Sequence, residues 1–253
     1  MPSTGRTVAI IPARFASSRL PGKPLADICG KPMIQHVVER TRQAKLVDDV
    51  VVATDDARIL EVVQSFGGRA EMTPSDLPSG SDRIAFVARN MPEAGLIVNV
   101  QGDEPLIGPA MIDEAIAPLI ADSRIVVGTL VRKIETPEEL LMPSVVKAVL
   151  GRDGYCLYFS RSTIPFVRDL PLPDWLGQGV HFKHVGLYVF TREFLMRYTE
   201  LPPTPLESLE QLEQLRILEY GYRMKAVETK HNSISVDTAE DLERVRQQMR
   251  GNA

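Results

Sequence analysis

Cysteine is nearly absent from this chain: Cys29 and Cys156 are the only two in 253 residues. Two thiols so far apart exclude a disulfide framework and a four-thiolate zinc site, and packing roles in a reduced compartment are expected for both. Long apolar runs are missing as well. No stretch approaches the roughly 18–20 apolar residues of a membrane span. Residues 1–6 lead directly into a strand with no signal-peptide apolar region, so a cytoplasmic location is expected. Neither sign of charge dominates, since 29 Lys and Arg stand against 33 Asp and Glu, a net charge of -4. That balance gives no general attraction to polyanions, which argues against nucleic acid and membrane as partners and leaves any phosphate to a local basic site. Glycine-rich fingerprints are also lacking. Neither the Gly-x-x-x-x-Gly-Lys-Ser/Thr pattern nor Gly-x-Gly-x-x-Gly after a strand occurs, which excludes a P-loop NTPase and a simple dinucleotide-binding fold. No internal repeat or low-complexity tail is present.

What is present is an ordinary globular composition, 44% hydrophobic and 25% charged, enough for one large domain or two small ones. Short β-branched runs at 7–11, 50–53 and 96–100 alternate with helical periodicity at 32–45, 57–66 and 84–90. This pattern predicts an α/β fold with a mostly parallel sheet covered on both faces. Ser79 or Ser81 can cap a helix near Asp82, and Pro109 opens another whose Met111, Ile112, Ala115, Ile116 and Leu119 form a core face. Beyond 125–130, two β-rich runs at 145–150 and 155–159 flank Gly151-Arg152-Asp153-Gly154, which has hairpin chemistry and predicts a mixed sheet. Pro165, Pro171, Pro173, Gly177 and Gly179 surround the single tryptophan, Trp175, and mark a long loop.

The chemistry-bearing stretch is Pro12-Ala13-Arg14-Phe15-Ala16-Ser17-Ser18-Arg19-Leu20-Pro21-Gly22-Lys23-Pro24, which begins where the apolar run Val8-Ala9-Ile10-Ile11 stops. Open α/β sheets bind ligands beyond the carboxyl ends of their strands. Arg14, Arg19 and Lys23 there read as a polyphosphate grip, fork-shaped and point-like donors on a loop whose shape is set by Pro21 and Gly22. A solvated basic loop is the plain alternative, and the position after a buried strand favours the grip. Asp103 follows the buried run 96–100 and suits a hard cation, with a turn or cap aspartate as the competing reading. Asp237 follows Val236 and precedes a helix, where metal binding and capping compete. His181 and His184 stand three apart in a strand pattern that points them to opposite faces, which argues against a zinc pair.

Ile11-Pro12-Ala13-Arg14 with Ser18-Arg19-Leu20-Pro21-Gly22-Lys23-Pro24-Leu25 resembles the signature of the 3-deoxy-manno-octulosonate (Kdo) cytidylyltransferases. Further blocks extend the resemblance along the chain: Val51-Val52-Ala53-Thr54-Asp55, Ser79-Gly80-Ser81-Asp82-Arg83, Val98-Asn99-Val100-Gln101-Gly102-Asp103-Glu104-Pro105, Tyr158-Phe159-Ser160-Arg161, His184-Val185-Gly186-Leu187-Tyr188, Leu212-Glu213-Gln214-Leu215-Arg216 and Val236-Asp237-Thr238. The resemblance implies a Rossmann-like nucleotidyltransferase fold, one domain over 1–253 with a sugar-binding and dimerisation subdomain near 155–205, and transfer of CMP from CTP to Kdo for lipopolysaccharide synthesis. It places Mg²⁺ on Asp103 and Asp237. CTP would meet Arg14, Arg19, Lys23, Thr54, Asp55, Ser79, Gly80 and Arg83, and the acidic sugar Gln101, Arg161, His184, Tyr188, Glu213 and Gln214. Arg161 would pair with the sugar's carboxylate. Most acids of the helical stretch holding Glu207 and Glu210 are expected to face solvent. Another acidic sugar as acceptor, sialic acid or an amino-substituted Kdo, is the near alternative, and a silent CTP-binding protein the distant one. A homodimer is implied by the resemblance alone.

Overall fold

An unbroken apolar run such as Val8-Ala9-Ile10-Ile11 sends alternate side chains to opposite sides of a strand, so both faces need cover. The computed structural model, which describes residues 5–16 and 20–251, provides it. In β1 (Arg6–Ala13), Val8 and Ile10 enter one apolar core while Ala9 and Ile11 enter another. The chain continues through β2 (Asp27–Ile28), β3 (Lys31–Pro32), α1 (Met33–Thr41), β4 (Asp49–Thr54), α2 (Ala57–Ser65) and β5 (Arg69–Met72). Next come α3 (Gly80–Ala88), β6 (Ala94–Asn99), α4 (Pro109–Ala121), β7 (Val127–Lys133), α5 (Pro137–Leu141), β8 (Lys147–Leu150) and β9 (Cys156–Ser160). The last elements are β10 (Phe182–Thr191), α6 (Arg192–Glu200), α7 (Pro205–Glu210), α8 (Gln214–Glu219), β11 (Lys225–Glu228) and α9 (Ala239–Gly251).

The main sheet runs β11-β7-β10-β6-β1-β4-β5, and β8 and β9 extend it from β10. β1 pairs in parallel with β4 and β6, as β4 does with β5 and β11 with β7, whereas β10 lies antiparallel to β6 and β7. The expected α/β architecture with a mostly parallel, mixed sheet is therefore present, and the 151–154 turn does join an antiparallel hairpin. Helices α3 and α6 cover one face through Ile84, Val87, Phe194 and Leu195; α1, α2 and α4 cover the other through Ile34, Val37, Ile59, Val63, Met111 and Ile112. A fully buried aliphatic side chain contributes about 1.5–3 kcal/mol, against ~0–1 for an exposed ion pair. These two cores, rather than surface charge, hold the sheet.

Two features differ from the sequence expectation. The loop around Trp175 carries two 3-10 turns, Leu172–Asp174 and Leu176–Gln178, and Trp175 packs with Ile134 and Leu140 in a small core of its own. The stretch 205–219 is two helices, broken at Gln211 by a left-handed backbone (φ 53). Glu207 is consequently buried against Arg216, with Nε to Oε2 at 2.7 Å, and Glu210 accepts from the Ser160 hydroxyl and the Arg161 amide. These acids do not face solvent, because the break turns them toward partners that a continuous helix would miss. Among the described residues, no helix is long and apolar enough to cross a membrane.

Candidate functional site

The parallel strands β1, β4 and β6 end on one edge, and the loops leaving them build the site. Gly22 has a left-handed backbone (φ 68), closes the first loop by donating its amide to the Phe15 carbonyl at 3.1 Å, and starts the 3-10 turn Lys23–Leu25. After β6, the 101–104 turn lies against the end of β1. Only glycine fits at 102, since a Cβ there would be 2.7 Å from the Pro12 carbonyl oxygen. This close approach brings Asp103 to the first loop, where Lys23 Nζ meets Asp103 Oδ2 at 2.6 Å. The neighbouring Glu104 turns inward, and burial, reinforced by the Asp103 charge, pushes its carboxyl up to about 7.

Asp237 arrives from the far end of the sequence. The Val236 amide donates to the Asp103 carbonyl at 2.9 Å, and Val236 packs with Ile28, Met33, Leu242 and Val245, so α9 is clamped against the β2–β3 hairpin. Thr238 caps α9: its hydroxyl accepts from the Asp241 amide at 3.2 Å while Asp241 Oδ2 accepts from the Thr238 amide at 2.9 Å. The cap thus falls to Thr238, and the Asp237 carboxylate reaches Lys23 Nζ, 3.3 Å from Oδ1. Arg14, Lys23, Gln101, Asp103 and Asp237 line a cavity of about 330 Å³. Arg14 also donates to the Leu77 carbonyl. Arg19, the third expected cation, lies outside the described residues.

Phe15 is a residue that sequence reasoning missed. Arg58 Cζ stands 3.4 Å from its ring centroid, and Arg58 is held in turn by Asp56 at 2.7 Å. A cation over a ring at an exposed site contributes about 0.5–1 kcal/mol, enough to steady the neck of the loop that presents Arg14 and Lys23. An Arg58→Ala variant is expected to raise the KM for a phosphate-bearing substrate held by this loop about two- to fivefold with little change in kcat. Steady-state kinetics with an unchanged KM would remove this role from Arg58.

A second cavity, of about 280 Å³, adjoins the first at Gln101, which lines both. Gly80, Ser81, Asn99, His184, Tyr188, Glu213 and Gln214 contribute to its wall. Ser79 is the helix cap, accepting from the Asp82 amide at 3.1 Å, which leaves Ser81 to donate to Glu213 Oε2 at 2.8 Å. Burial pushes the Glu213 carboxyl above its ordinary value. Tyr188 donates to Gln214 Oε1 at 3.1 Å, and Gln101 to the Gly186 carbonyl at 3.0 Å. Ser81, Asn99 and Gly186 had no sequence-level assignment to this wall; the pairing of Asn99 with Tyr188 sets β10 beside β6, and the Ser81–Glu213 bond ties α3 to the same wall.

The remaining expected residues stand outside the cavity walls. Arg83 is fully buried, 0% exposed, and spends its guanidinium on Asp55 Oδ2 at 2.9 Å and on Thr73, while Thr54 is buried beneath them. This network anchors the helix carrying Ser79–Ser81 to the sheet edge. Arg161, expected against a sugar carboxylate, instead donates to the carbonyls of Glu210 at 2.7 Å and of Pro143 and Gln211 at 3.3 Å, and so fixes the turn leading to Glu213. His181 bonds the Pro165 carbonyl at 3.0 Å and His184 bonds Thr129 at 2.9 Å, so the two rings do not converge.

Thr129 gives its one hydroxyl proton to a carbonyl, that of Leu187 at 2.8 Å, so it accepts from His184 Nε2–H and leaves Nδ1 as an acceptor. Burial pushes His184 down to about 3, whereas the unfolded chain titrates near the ordinary value of 6.5. The stability carried by the neutral ring is therefore complete above pH 6.5 and falls as pH drops toward 3. Each pH unit in that window costs at most about 1.4 kcal/mol, reduced here because His184 lines a water-accessible cavity. Between pH 7 and 5, the unfolding free energy of the parent is expected to drop by about 1 kcal/mol more than that of His184→Gln in urea titrations. Parallel curves would show that His184 does not resist protonation.

The geometry agrees with comparisons to known proteins. A family model described as cytidylyltransferase matches residues 8–230. A 3-deoxy-manno-octulosonate cytidylyltransferase of Geobacter sulfurreducens is 58% identical over 247 residues, 96% of this chain and 98% of that one. Its counterpart in Geobacter metallireducens is 56% identical over 245 residues, 95% and 96% of the two chains. Among solved structures, CMP:2-keto-3-deoxy-manno-octonic acid synthetase complexed with CTP superposes with a TM-score of 0.91 at 42% identity, covering 98% of this chain and 100% of that one. A 4-diphosphocytidyl-2C-methyl-D-erythritol synthase from Anaerococcus prevotii, 13% identical with a TM-score of 0.64 over 98% and 99% of the two chains, shares the fold alone.

Proposed function

This chain belongs to the 3-deoxy-manno-octulosonate cytidylyltransferases within the cytidylyltransferase family, and from that premise we propose that it transfers CMP from CTP to Kdo with release of pyrophosphate. The observation that carries the assignment to particular residues is the junction of two cavities at Gln101, one lined by Arg14, Lys23, Asp103 and Asp237 and the other by hydrogen-bonding groups such as His184, Tyr188, Glu213 and Gln214. The triphosphate lies in the first, with Arg14 and Lys23 offsetting its charge. The acceptor lies in the second, its hydroxyls held by His184 Nδ1, Tyr188, Glu213 and Gln214. Gln101 stands between them, where the anomeric C2 oxygen of Kdo attacks the α-phosphorus and the bond to pyrophosphate breaks. No covalent intermediate with the protein is needed. Arg83 and Asp55 act on the nucleotide indirectly, by holding the helix that presents Gly80 and Ser81, and Arg161 supports the acceptor wall from behind.

The reaction calls for Mg²⁺, and the donor set fits it. Asp103 and Asp237 are hard oxygen ligands, and a cationic group, the Lys23 ammonium, already rests against both. Mg²⁺ is commonly held by one or two carboxylates, with water and substrate phosphates completing the shell. When bound, the ion stabilises the charge that develops on the transferring phosphoryl group.

The chain also acts as a homodimer. Leu157, Phe166, Leu170 and Val180 are apolar and exposed in the 155–205 region, with Phe166 74% exposed. Sedimentation equilibrium at micromolar concentration is expected to give twice the 28.1 kDa chain mass; a 28.1 kDa species would dismiss the dimer. The reaction itself is tested by pyrophosphate release from CTP with and without Kdo and Mg²⁺, with the product mass confirmed. Release that requires all three supports the assignment. Release only with another acidic sugar would change the acceptor, and CTP binding without release from any acceptor would leave a silent binder.

A further inference from the structure

The two carboxylates assigned to the cation are held together by backbone, not by their counter-ion. Asp103 sits in the turn after β6, and its carbonyl accepts the Val236 amide at 2.9 Å. Asp237 is one residue further on, released from capping by Thr238 and pinned by the packing of Val236 and α9. Their mutual repulsion is therefore built into the fold. Lys23 relieves it, with Nζ 2.6 Å from one carboxylate and 3.3 Å from the other. An ammonium at those distances occupies the space between the acids. A divalent ion binding both would need oxygens at about 2.0–2.1 Å, and at roughly 3–4 Å a dication and an ammonium repel each other strongly. The two cations exclude each other from this pair.

Given Asp103 and Asp237 as ligands of the divalent ion, we propose that Lys23 is an internal substitute for that ion and couples its binding to that of the nucleotide. In the nucleotide-free protein the ammonium offsets one of the pair's two negative charges and keeps divalent affinity low. When the triphosphate enters the same cavity, the ammonium moves to the phosphate oxygens, and the pair becomes available to the cation that accompanies the nucleotide. A lysine suits this exchange because its charge is a compact point on a flexible stem, whereas a guanidinium is a rigid fork. A lysine that only binds phosphate would leave the affinity for metal alone untouched. A substitute cation makes the opposite forecast from the usual one for an active-site deletion, because removing it strengthens metal binding.

The test is a titration with Mn²⁺ alone, followed by electron paramagnetic resonance, on the parent, Lys23→Met, Lys23→Arg and the double variant Lys23→Met/Asp103→Asn, with thermal melting as the check of folding. Lys23→Met is expected to bind Mn²⁺ about tenfold or more tightly than the parent without nucleotide. Lys23→Arg, which keeps the charge, stays close to the parent, and the double variant loses the gain. Adding CTP tightens Mn²⁺ binding in the parent far more than in Lys23→Met. Equal or weaker Mn²⁺ binding by folded Lys23→Met would overturn the substitution while leaving the metal ligands in place. If Lys23→Met does not fold, Lys23→Gln takes its place under the same criteria. Absence of Mn²⁺ binding in every protein, with CTP as without, would overturn the metal assignment and the coupling together.

Discussion

An Asp103→Asn protein is expected to fold like the parent and to lose about a thousandfold or more of its turnover. The fold survives because the substitution preserves shape, and because the contact that ties residue 103 to the C-terminal segment is its backbone carbonyl receiving the Val236 amide. On the proposed assignment, the activity falls because one of the two carboxylates that would hold Mg²⁺ is gone. A loss of that size corresponds to about 4 kcal/mol of transition-state stabilisation. Asp237→Asn should behave alike, and the double variant should be little worse than either single one, since the two carboxylates act as a unit. Pyrophosphate release and melting temperature measured side by side decide the matter. Turnover within tenfold of the parent, in a folded Asp103→Asn protein, would remove Asp103 from the metal site.

The second large effect falls on stability. Asp55→Ala leaves the Arg83 guanidinium fully buried without its 2.9 Å carboxylate partner. Deleting one member of a buried pair costs about 3–5 kcal/mol because an uncompensated charge remains in the interior. For a chain of this size that amounts to a fall of roughly 10 °C in melting temperature. Removing both charges is milder, so the double variant Asp55→Leu/Arg83→Met should recover at least half of the lost stability. Calorimetry on the single and double variants separates a buried pair from a surface one. A change below about 1 kcal/mol for Asp55→Ala would show that water reaches Arg83.

Arg83 also shows where sequence reasoning stops. An arginine in the first turns of an amphipathic helix reads as exposed or as a ligand contact, and nothing nearby signals burial. Its partners, Asp55 and Thr73, are 28 and 10 residues away and belong to the segments after β4 and β5. Similarly, Leu206, Leu209, Leu212 and Leu215 have the spacing of one continuous helix. The break at Gln211 is favoured by contacts that periodicity does not register: Glu207 with Arg216, and the Tyr198 hydroxyl donating to the Glu213 carbonyl at 3.0 Å. For Asp237 the sequence left metal binding and capping in competition, because both call for a carboxylate before a helix. The reciprocal bonds of Thr238 and Asp241 satisfy the helix end and release it.

By itself the sequence determined what depends on neighbours along the chain. The apolar runs specified strands buried on both faces, their alternation with helical periods specified an α/β sheet, and ordered motifs such as Pro12-Ala13-Arg14 and Gly102-Asp103-Glu104-Pro105 marked the family and its polar loops. The tertiary structure alone decided which of those polar groups meet. Lys23 is separated from Asp103 by 80 residues and from Asp237 by 214, yet one ammonium contacts both carboxylates. Strand order, the close approach that Gly102 permits and the clamp of α9 against the β2–β3 hairpin bring them together. Local propensities act through a few adjacent bonds, whereas apolar burial and charge act through space, and only the folded chain fixes those distances.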